Sequence, residues 1–227
     1  MKAEASGTGT VEETAGLRGK ARRTHDALAA AAVEIVLERG LDVTTVELIT
    51  ERAGVTRRTF SRYFAGKEIA ALAFVRDDGE RINTQLRRRP AGEPPLLAYR
   101  RAVHAWLTDV DDPPWHVRPD ARRILALIGR EPALFAAYER IRLDAQAEST
   151  RIVAARIGAA ALPDPRLTLV DAAAGTLSSA LRQWARVGGS AAELTALVER
   201  AYDVLVEEAI AAAAAVTRES LPEGATS

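Results

Sequence analysis

The sequence predicts an all-α protein of about nine helices, with a three-helix domain near the amino terminus and a helical bundle after it. Apolar residues make up 48% of the chain and are dominated by Ala, Leu and Val, a composition that favours helix over strand. In most segments the apolar residues recur three or four positions apart, the spacing of an amphipathic helix. No segment shows sustained alternation of apolar and polar residues, so we expect no sheet.

The composition indicates a globular protein without thiol chemistry. The 227 residues are 27% charged, carry no net charge and include no cysteine, which excludes disulfides, thiol catalysis and thiolate metal sites. Residues 1–16 are small, polar and acidic and lack the apolar segment of a signal peptide. The longest apolar run, 210–216, is too short to cross a bilayer. We therefore expect a cytoplasmic protein with no membrane contact.

The chain is predicted to begin with a disordered tail over 1–16. The first helix is predicted to run from about 22 to 39. One face of this helix carries Leu28, Ala31, Ala32 and Ile35, at the spacing of a buried stripe. Gly40 follows as a C-cap, a position that favours glycine because it tolerates positive φ.

The second helix is predicted to begin at Thr44 or Thr45. Thr44 and Glu47 have the spacing of a capping box, Thr-x-x-Glu. Its inner face carries Val46, Ile49 and Ala53. Gly54 permits a sharp turn, and Thr56 is placed to cap a third helix.

The third helix is predicted to bury one face and expose a basic one. Phe60 and Phe64 lie four residues apart and share the face toward the core. The outer positions are Thr56, Arg57, Arg58, Ser61 and Arg62. Two helices around a tight turn, with such donors opening the second, are the layout of a helix-turn-helix that reads the DNA major groove. Residues 17–89 carry 15 Lys and Arg against 10 Asp and Glu, whereas 90–227 carry 15 against 18; this distribution fits a DNA-reading part and a regulatory part.

The remaining helices form the predicted bundle. A fourth helix over about 67–88 connects the two parts, and prolines after it mark the boundary. Five further apolar-periodic segments follow, at about 95–109, 118–129, 132–160, 165–187 and 190–216. The predicted domains are a helix-turn-helix domain at 17–67, a ligand-binding and dimerisation domain at 68–216, and a disordered tail at 217–227.

The run AGVTRRTFSRYFAGKE resembles the signature of the TetR family of regulators, over about residues 20–70. The resemblance implies a double-stranded DNA operator as partner, with contacts from Thr45, Thr56, Arg57, Arg58, Ser61, Tyr63 and Lys67. Thr45, Tyr63 and Lys67 would contact phosphates, and the start of the third helix would face bases or phosphates. Ser61 departs from the family pattern, which commonly has Tyr or Phe there.

The same resemblance implies a small apolar effector held within the bundle and a homodimer formed by its last two helices. Aromatic residues in a helical bundle are usually part of the core. The candidates for lining an effector pocket are His104, Trp106, Leu125, Tyr138 and Trp184. Residues 165–216 would form a four-helix dimer interface, which would set two recognition helices about 34 Å apart.

Other functions find little support in the residues. The three histidines are scattered without partners at ligand spacing, so we expect no metal and no cofactor. No catalytic triad or phosphate loop is evident, so we expect no enzyme. The interpretation is a ligand-responsive transcriptional regulator, a repressor that binds a palindromic operator. The alternative is a helical interaction module that has lost DNA binding.

Overall fold

The structure, a computed structural model, describes residues 8–118, 120–159 and 164–219. Within these residues the chain is helical and contains no strand, which confirms the predicted all-α class. The helices are α1 (Thr8–Arg39), α2 (Val46–Arg52), α3 (Arg57–Tyr63), α4 (Lys67–Ala71), α5 (Ala73–Arg87), α6 (Pro95–Leu107), α7 (Ala121–Ile128), α8 (Pro132–Ile157), α9 (Thr168–Val187) and α10 (Ala191–Glu219). Single 3₁₀ turns occur at Trp115–Val117 and Pro165–Leu167.

The described residues divide into two compact units. The first unit runs through Arg76 and also includes Leu127–Arg140, and the second comprises Asp77–Ala126 and the residues from Ile141 onward. None of the described helices combines the length and apolarity that a bilayer-spanning segment requires.

The first unit has a small core in which α1 packs against α2 and α4, and α2 packs against α3. Its buried apolar side chains include Leu28, Ala32, Ile35, Leu41, Ile49, Phe60, Phe64 and Leu72. The predicted apolar stripe of the first helix and both predicted phenylalanine anchors are therefore confirmed. Gly40, whose φ is +85°, ends α1 as expected.

Three sequence predictions for the first part of the chain differ from the structure. The helix α1 begins at Thr8, not near residue 22, so the chain is helical from Thr8 onward where a disordered tail over 1–16 was predicted. Residues 1–7 lie outside the described part. The predicted fourth helix is divided at Leu72, whose φ of −109° leaves the helical region while its side chain is fully buried. This division raises the helix count above the predicted nine.

The predicted capping box is also wrong. The N-cap of α2 is Thr45, whose Oγ1 accepts a 3.2 Å hydrogen bond from the backbone N–H of Leu48. Thr44 is fully buried, and its hydroxyl donates instead to the carbonyl oxygen of Gly40 at 2.7 Å. Glu47 is thus free to extend away from the helix start.

The second unit is built on α6, α9 and α10, each of which packs against the other two. Small residues on α6 and α9 allow close approach, since Ala98, Ala102, Ala173 and Ala174 are all buried. Tyr202 of α10 is fully buried, and its hydroxyl donates a 3.0 Å hydrogen bond to the carbonyl oxygen of Ala173. This bond satisfies the tyrosine's polar group inside the apolar contact.

The helix α10 has a buried apolar stripe. Leu194, Val198 and Tyr202 follow each other at intervals of four and are fully buried in the unit. Outside this stripe α10 exposes two further apolar side chains, Val204 at 56% and Ile210 at 65%. The predicted tail at 217–227 differs as well, since α10 continues through Glu219 and residues 220–227 lie outside the described part.

Candidate nucleic-acid interface

The turn between α2 and α3 is formed by a glycine with positive φ and closed by a backbone hydrogen bond. Gly54 adopts φ +65°, a conformation in which a side chain is strained, and this reverses the chain after α2. The backbone N–H of Val55 donates a 3.0 Å hydrogen bond to the carbonyl oxygen of Thr50, which closes the turn. The Thr50 hydroxyl bonds back to the carbonyl oxygen of Glu47 at 3.0 Å, as expected for a buried threonine within a helix. The two helices therefore hold a fixed geometry.

The recognition helix α3 opens on a threonine cap. Thr56 has extended backbone angles, and its Oγ1 accepts a 3.2 Å hydrogen bond from the backbone N–H of Thr59. Beneath α3, Phe60 and Phe64 are buried with ring centroids 5.7 Å apart. The cap and the two rings fix which face of the helix points outward, and Thr56, Arg57 and Arg58 are all exposed.

Arg57 is paired with Glu47 of α2. The two side chains form a 2.8 Å ion pair, with 75% of the arginine and 61% of the glutamate side chain exposed. The pair extends the guanidinium across the surface of the helix-turn-helix, and it uses only one of the five N–H donors of the group. Sequence reasoning missed Glu47 in this role because it assigned the residue to a capping box.

Two other predicted contacts lie on α3. Ser61 is exposed, and its hydroxyl donates to the carbonyl oxygen of Arg57 at 3.2 Å. The Tyr63 hydroxyl accepts a 3.1 Å hydrogen bond from Arg62, whose guanidinium lies 5.1 Å from the centre of the tyrosine ring. Arg62 and Tyr63 therefore present a joint cationic and aromatic surface next to the serine.

His25 of α1 supports the carboxyl end of α3 and was not predicted to do so. Its ring centroid lies 4.8 Å from that of Phe64 and 6.2 Å from that of Tyr63. The contact orients Tyr63, and no spacing pattern in the sequence indicates it because the residues lie almost forty positions apart.

Lys67 is held by the backbone. Its Nζ donates 2.8 Å hydrogen bonds to the carbonyl oxygens of Leu41 and Thr44, which leaves one N–H for a further acceptor. The lysine therefore joins the start of α4 to the segment before α2. Its predicted phosphate contact remains a prediction, and Thr45 also stays exposed beside this segment.

The five predicted effector-pocket residues differ in their surroundings. His104 lies on the surface of the second unit, with a side chain 54% exposed and Nδ1 2.9 Å from Glu199. Leu125 is half-buried in that unit, and Tyr138 is buried in the first unit. Trp106 and Trp184 each have a ring contact with the buried His116.

Two family patterns match the chain over most of its length. The pattern described as bacterial regulatory proteins, tetR family, matches residues 28–69, and the pattern described as MftR C-terminal domain matches residues 93–215, more than half of the chain. The chain belongs to the TetR family. Members of this family are bacterial regulatory proteins.

Individual TetR-family relatives agree with this assignment. The HTH-type transcriptional regulator TcmR of Streptomyces glaucescens is 40% identical over 141 residues, which span 61% of this chain and 62% of the length of TcmR. The structure of SmeT, described as the repressor of the Stenotrophomonas maltophilia multidrug efflux pump SmeDEF, matches with a TM-score of 0.50. That match covers 81% of this chain and 89% of SmeT at 19% identity, so it bears on the fold alone.

Proposed function

We propose that this TetR-family protein is a homodimeric repressor, which binds a palindromic operator through residues 44–67 and is released by a small apolar effector. The capped start of α3 carries the proposal, because Thr56, Arg57 and Arg58 are exposed together on a helix fixed from below. Backbone and side-chain donors at the start of a recognition helix are the groups that reach base edges in the major groove.

The DNA contacts fall into two kinds. Arg57 and Arg58 are suited to guanine, whose two acceptors in the major groove match an arginine fork. Thr45, Tyr63 and Lys67 lie at the edges of the helix-turn-helix and are suited to phosphate oxygens. Ser61 has its hydroxyl proton directed to its own helix, so it can only accept a hydrogen bond from DNA while that bond persists.

Exposed apolar side chains of α10 support the homodimer. Val204 and Ile210 are more than half exposed, although Leu194, Val198 and Tyr202 of the same helix are fully buried. Val187, near the end of α9, is also 79% exposed. A two-fold pairing through these side chains would give a four-helix interface, and the resulting dimer would suit a palindrome with half-sites one DNA turn apart.

Release by an effector requires coupling between two sites. An effector that binds better to a conformer with the wrong spacing between recognition helices weakens operator binding. Coupling of about 1–3 kcal/mol is typical and corresponds to roughly 5- to 150-fold in affinity. Small-molecule control and dimeric binding of this kind are usual in the family, and they are proposals for this chain.

The proposal is tested by a gel-shift titration on a duplex that the protein itself selects. The double variant Arg57→Ala, Arg58→Ala should lose about 10- to 100-fold in affinity and show a flatter salt dependence, since two cationic contacts disappear. Arg130→Ala is a matched control, because Arg130 is an exposed arginine of the same unit outside the helix-turn-helix. Equal affinities for all three proteins would overturn the DNA-binding role of α3. A monomer in sedimentation at micromolar concentration would overturn the dimer.

A further inference from the structure

His116 is a buried histidine without a hydrogen-bond partner. It lies in the 3₁₀ turn Trp115–Val117, in the connection between α6 and α7, and only 5% of the residue is exposed. Among the described residues neither Nδ1 nor Nε2 has a hydrogen-bond partner. A neutral imidazole has one N–H donor and one acceptor nitrogen in either tautomer, so both a donor and an acceptor are unused here. Such groups are rare in folded proteins because leaving them unpaired is unfavourable.

The surroundings of His116 are aromatic. The rings of Trp106 and Trp184 meet it edge to face, with centroids 5.3 and 6.3 Å away and interplanar angles of 72° and 81°. Both indole N–H groups are already used, by Asp78 in the case of Trp106 and by the carbonyl oxygen of Ser190 in the case of Trp184. The two tryptophans therefore offer carbon surface, and the imidazole offers the unpaired polar atoms.

Two arginines lie near this cluster. The guanidinium of Arg122 is 5.9 Å from the centre of the Trp184 ring. Arg81 forms ion pairs with Asp78, Asp109 and Asp112, at 3.5, 3.2 and 3.5 Å. Burial, with a smaller effect of Arg81, lowers the pKa of His116 to about 4, so the ring is neutral near pH 7. A neutral imidazole itself offers no countercharge to an anion, and burying a carboxylate against it without a paired cation is costly. A hydroxyl group, which is itself one donor and one acceptor, matches the imidazole.

We propose that the effector is an uncharged aromatic molecule with a hydroxyl group, which pairs with His116 while its ring lies against Trp106 and Trp184. The word effector rests on the proposed function, whereas the binding site rests on the cluster itself.

Equilibrium dialysis of the full-length wild-type protein at pH 7 tests the chemistry directly, with 2-naphthol, naphthalene and 2-naphthoate as probes. We expect 2-naphthol to bind at least ten-fold more tightly than either of the others, and ten-fold is about 1.4 kcal/mol. Naphthalene lacks the hydroxyl group of 2-naphthol, and 2-naphthoate carries a negative charge in its place. Equal binding of 2-naphthol and naphthalene, tighter binding of 2-naphthoate, or no binding of any probe would overturn the proposal.

The residue is tested with His116→Phe, which retains a ring and removes both nitrogens. We expect its affinity for 2-naphthol to fall to that for naphthalene, while naphthalene binding changes less than two-fold. The control is Leu143→Phe, which places a phenylalanine at a position of α8 that is 52% exposed in the same unit. This control should keep the ten-fold preference. A preference that persists in His116→Phe, or that disappears equally in both variants, would contradict the assignment.

The two proposals fail separately. Hydroxyl-selective binding through His116 by a protein that selects no duplex would leave the site intact and overturn the regulatory function. Selection of a duplex by a protein that binds none of the probes would retain the regulator and overturn the site. If both hold, 2-naphthol should also release the selected duplex from the wild type and not from His116→Phe.

Discussion

The Nζ atom of Lys67 donates a 2.8 Å hydrogen bond to the carbonyl oxygen of Thr44, and this bond joins the first residue of α4 to the segment that leads into α2. A second bond of equal length reaches Leu41. The adjacent Thr45 is the N-cap of α2. Lys67 thus positions the helix-turn-helix in addition to its predicted phosphate contact.

Lys67→Met should therefore destabilise the first unit as well as weaken DNA binding. The substitution keeps the apolar stem and removes two hydrogen bonds from a charged donor, so we expect a loss of about 1–3 kcal/mol in the free energy of unfolding. Urea denaturation followed by far-UV circular dichroism measures this loss. Lys20→Met, at an exposed position on α1, is the control and should change the free energy little. An unchanged midpoint for Lys67→Met would assign the lysine to DNA contact alone.

Glu47→Gln should strengthen operator binding without changing stability. The carboxylate pairs with Arg57 at the exposed surface, and an exposed pair is worth about 1 kcal/mol or less. Its removal frees the guanidinium and takes a negative charge away from the predicted DNA face, so a gain of up to roughly five-fold is expected. Glu51→Gln removes the same charge from an exposed position of α2 and serves as control. Equal gains in the two variants would show that the pairing with Arg57 is unimportant.

Loss of the cap on α3 should cost stability. Thr56→Ala removes the oxygen that accepts the backbone N–H of Thr59, and such caps contribute about 0.5–2 kcal/mol. Thr56→Ser keeps the oxygen and should retain most of this energy. The contribution of the cap is measured by comparing the denaturation midpoints of both variants with that of the wild type. Identical midpoints for Thr56→Ala and Thr56→Ser would mean that the cap contributes nothing.

The stability of the second unit should depend on pH through two buried groups with opposite signs. The pKa of His116 falls from about 6.5 in the unfolded chain to about 4, so between these values the unfolded state binds more protons and stability falls as pH falls. Burial raises the pKa of Asp78 to about 7, so between about 4 and 7 the folded state binds more protons and stability falls as pH rises.

Single variants separate the two effects. His116→Phe should gain stability relative to the wild type as pH decreases from about 6.5 to 4, by on the order of 2 kcal/mol. Asp78→Asn should gain relative stability as pH increases from about 4 to 7. Tryptophan fluorescence is the suitable probe because all three tryptophans lie in the second unit. Parallel pH curves for a variant and the wild type would show that the substituted group does not titrate as described.

The sequence predicts what depends on local pattern. The 3.6-residue periodicity, the glycine at the turn and the threonine at the cap are local, and they give the class, the helix-turn-helix and the buried faces of α1 and α3. The division at Leu72 is different, because it follows from a side chain that the core of the unit requires, and burial is a tertiary property.

The details of the site depend on contacts that residue types and their spacing do not reveal. The choice between Thr44 and Thr45 as N-cap is decided by the bond from Thr44 to Gly40, which a pattern of residue types does not reveal. The bonds of Lys67 and the contact of His25 with Phe64 span 23 and almost 40 positions. No spacing pattern in the sequence singles out His116 for binding a ligand. His116 becomes a candidate only because its ring is buried without a hydrogen bond among the described residues.

Selection of bound duplexes from a random DNA pool, by the wild type and in parallel by Arg57→Ala, Arg58→Ala, addresses the DNA-binding role most directly. We expect the wild type to enrich a palindrome whose half-site centres lie about 10 base pairs apart, and the double variant to enrich none. Enrichment of no duplex by the wild type, or of the same duplex by both proteins, would contradict operator recognition by α3.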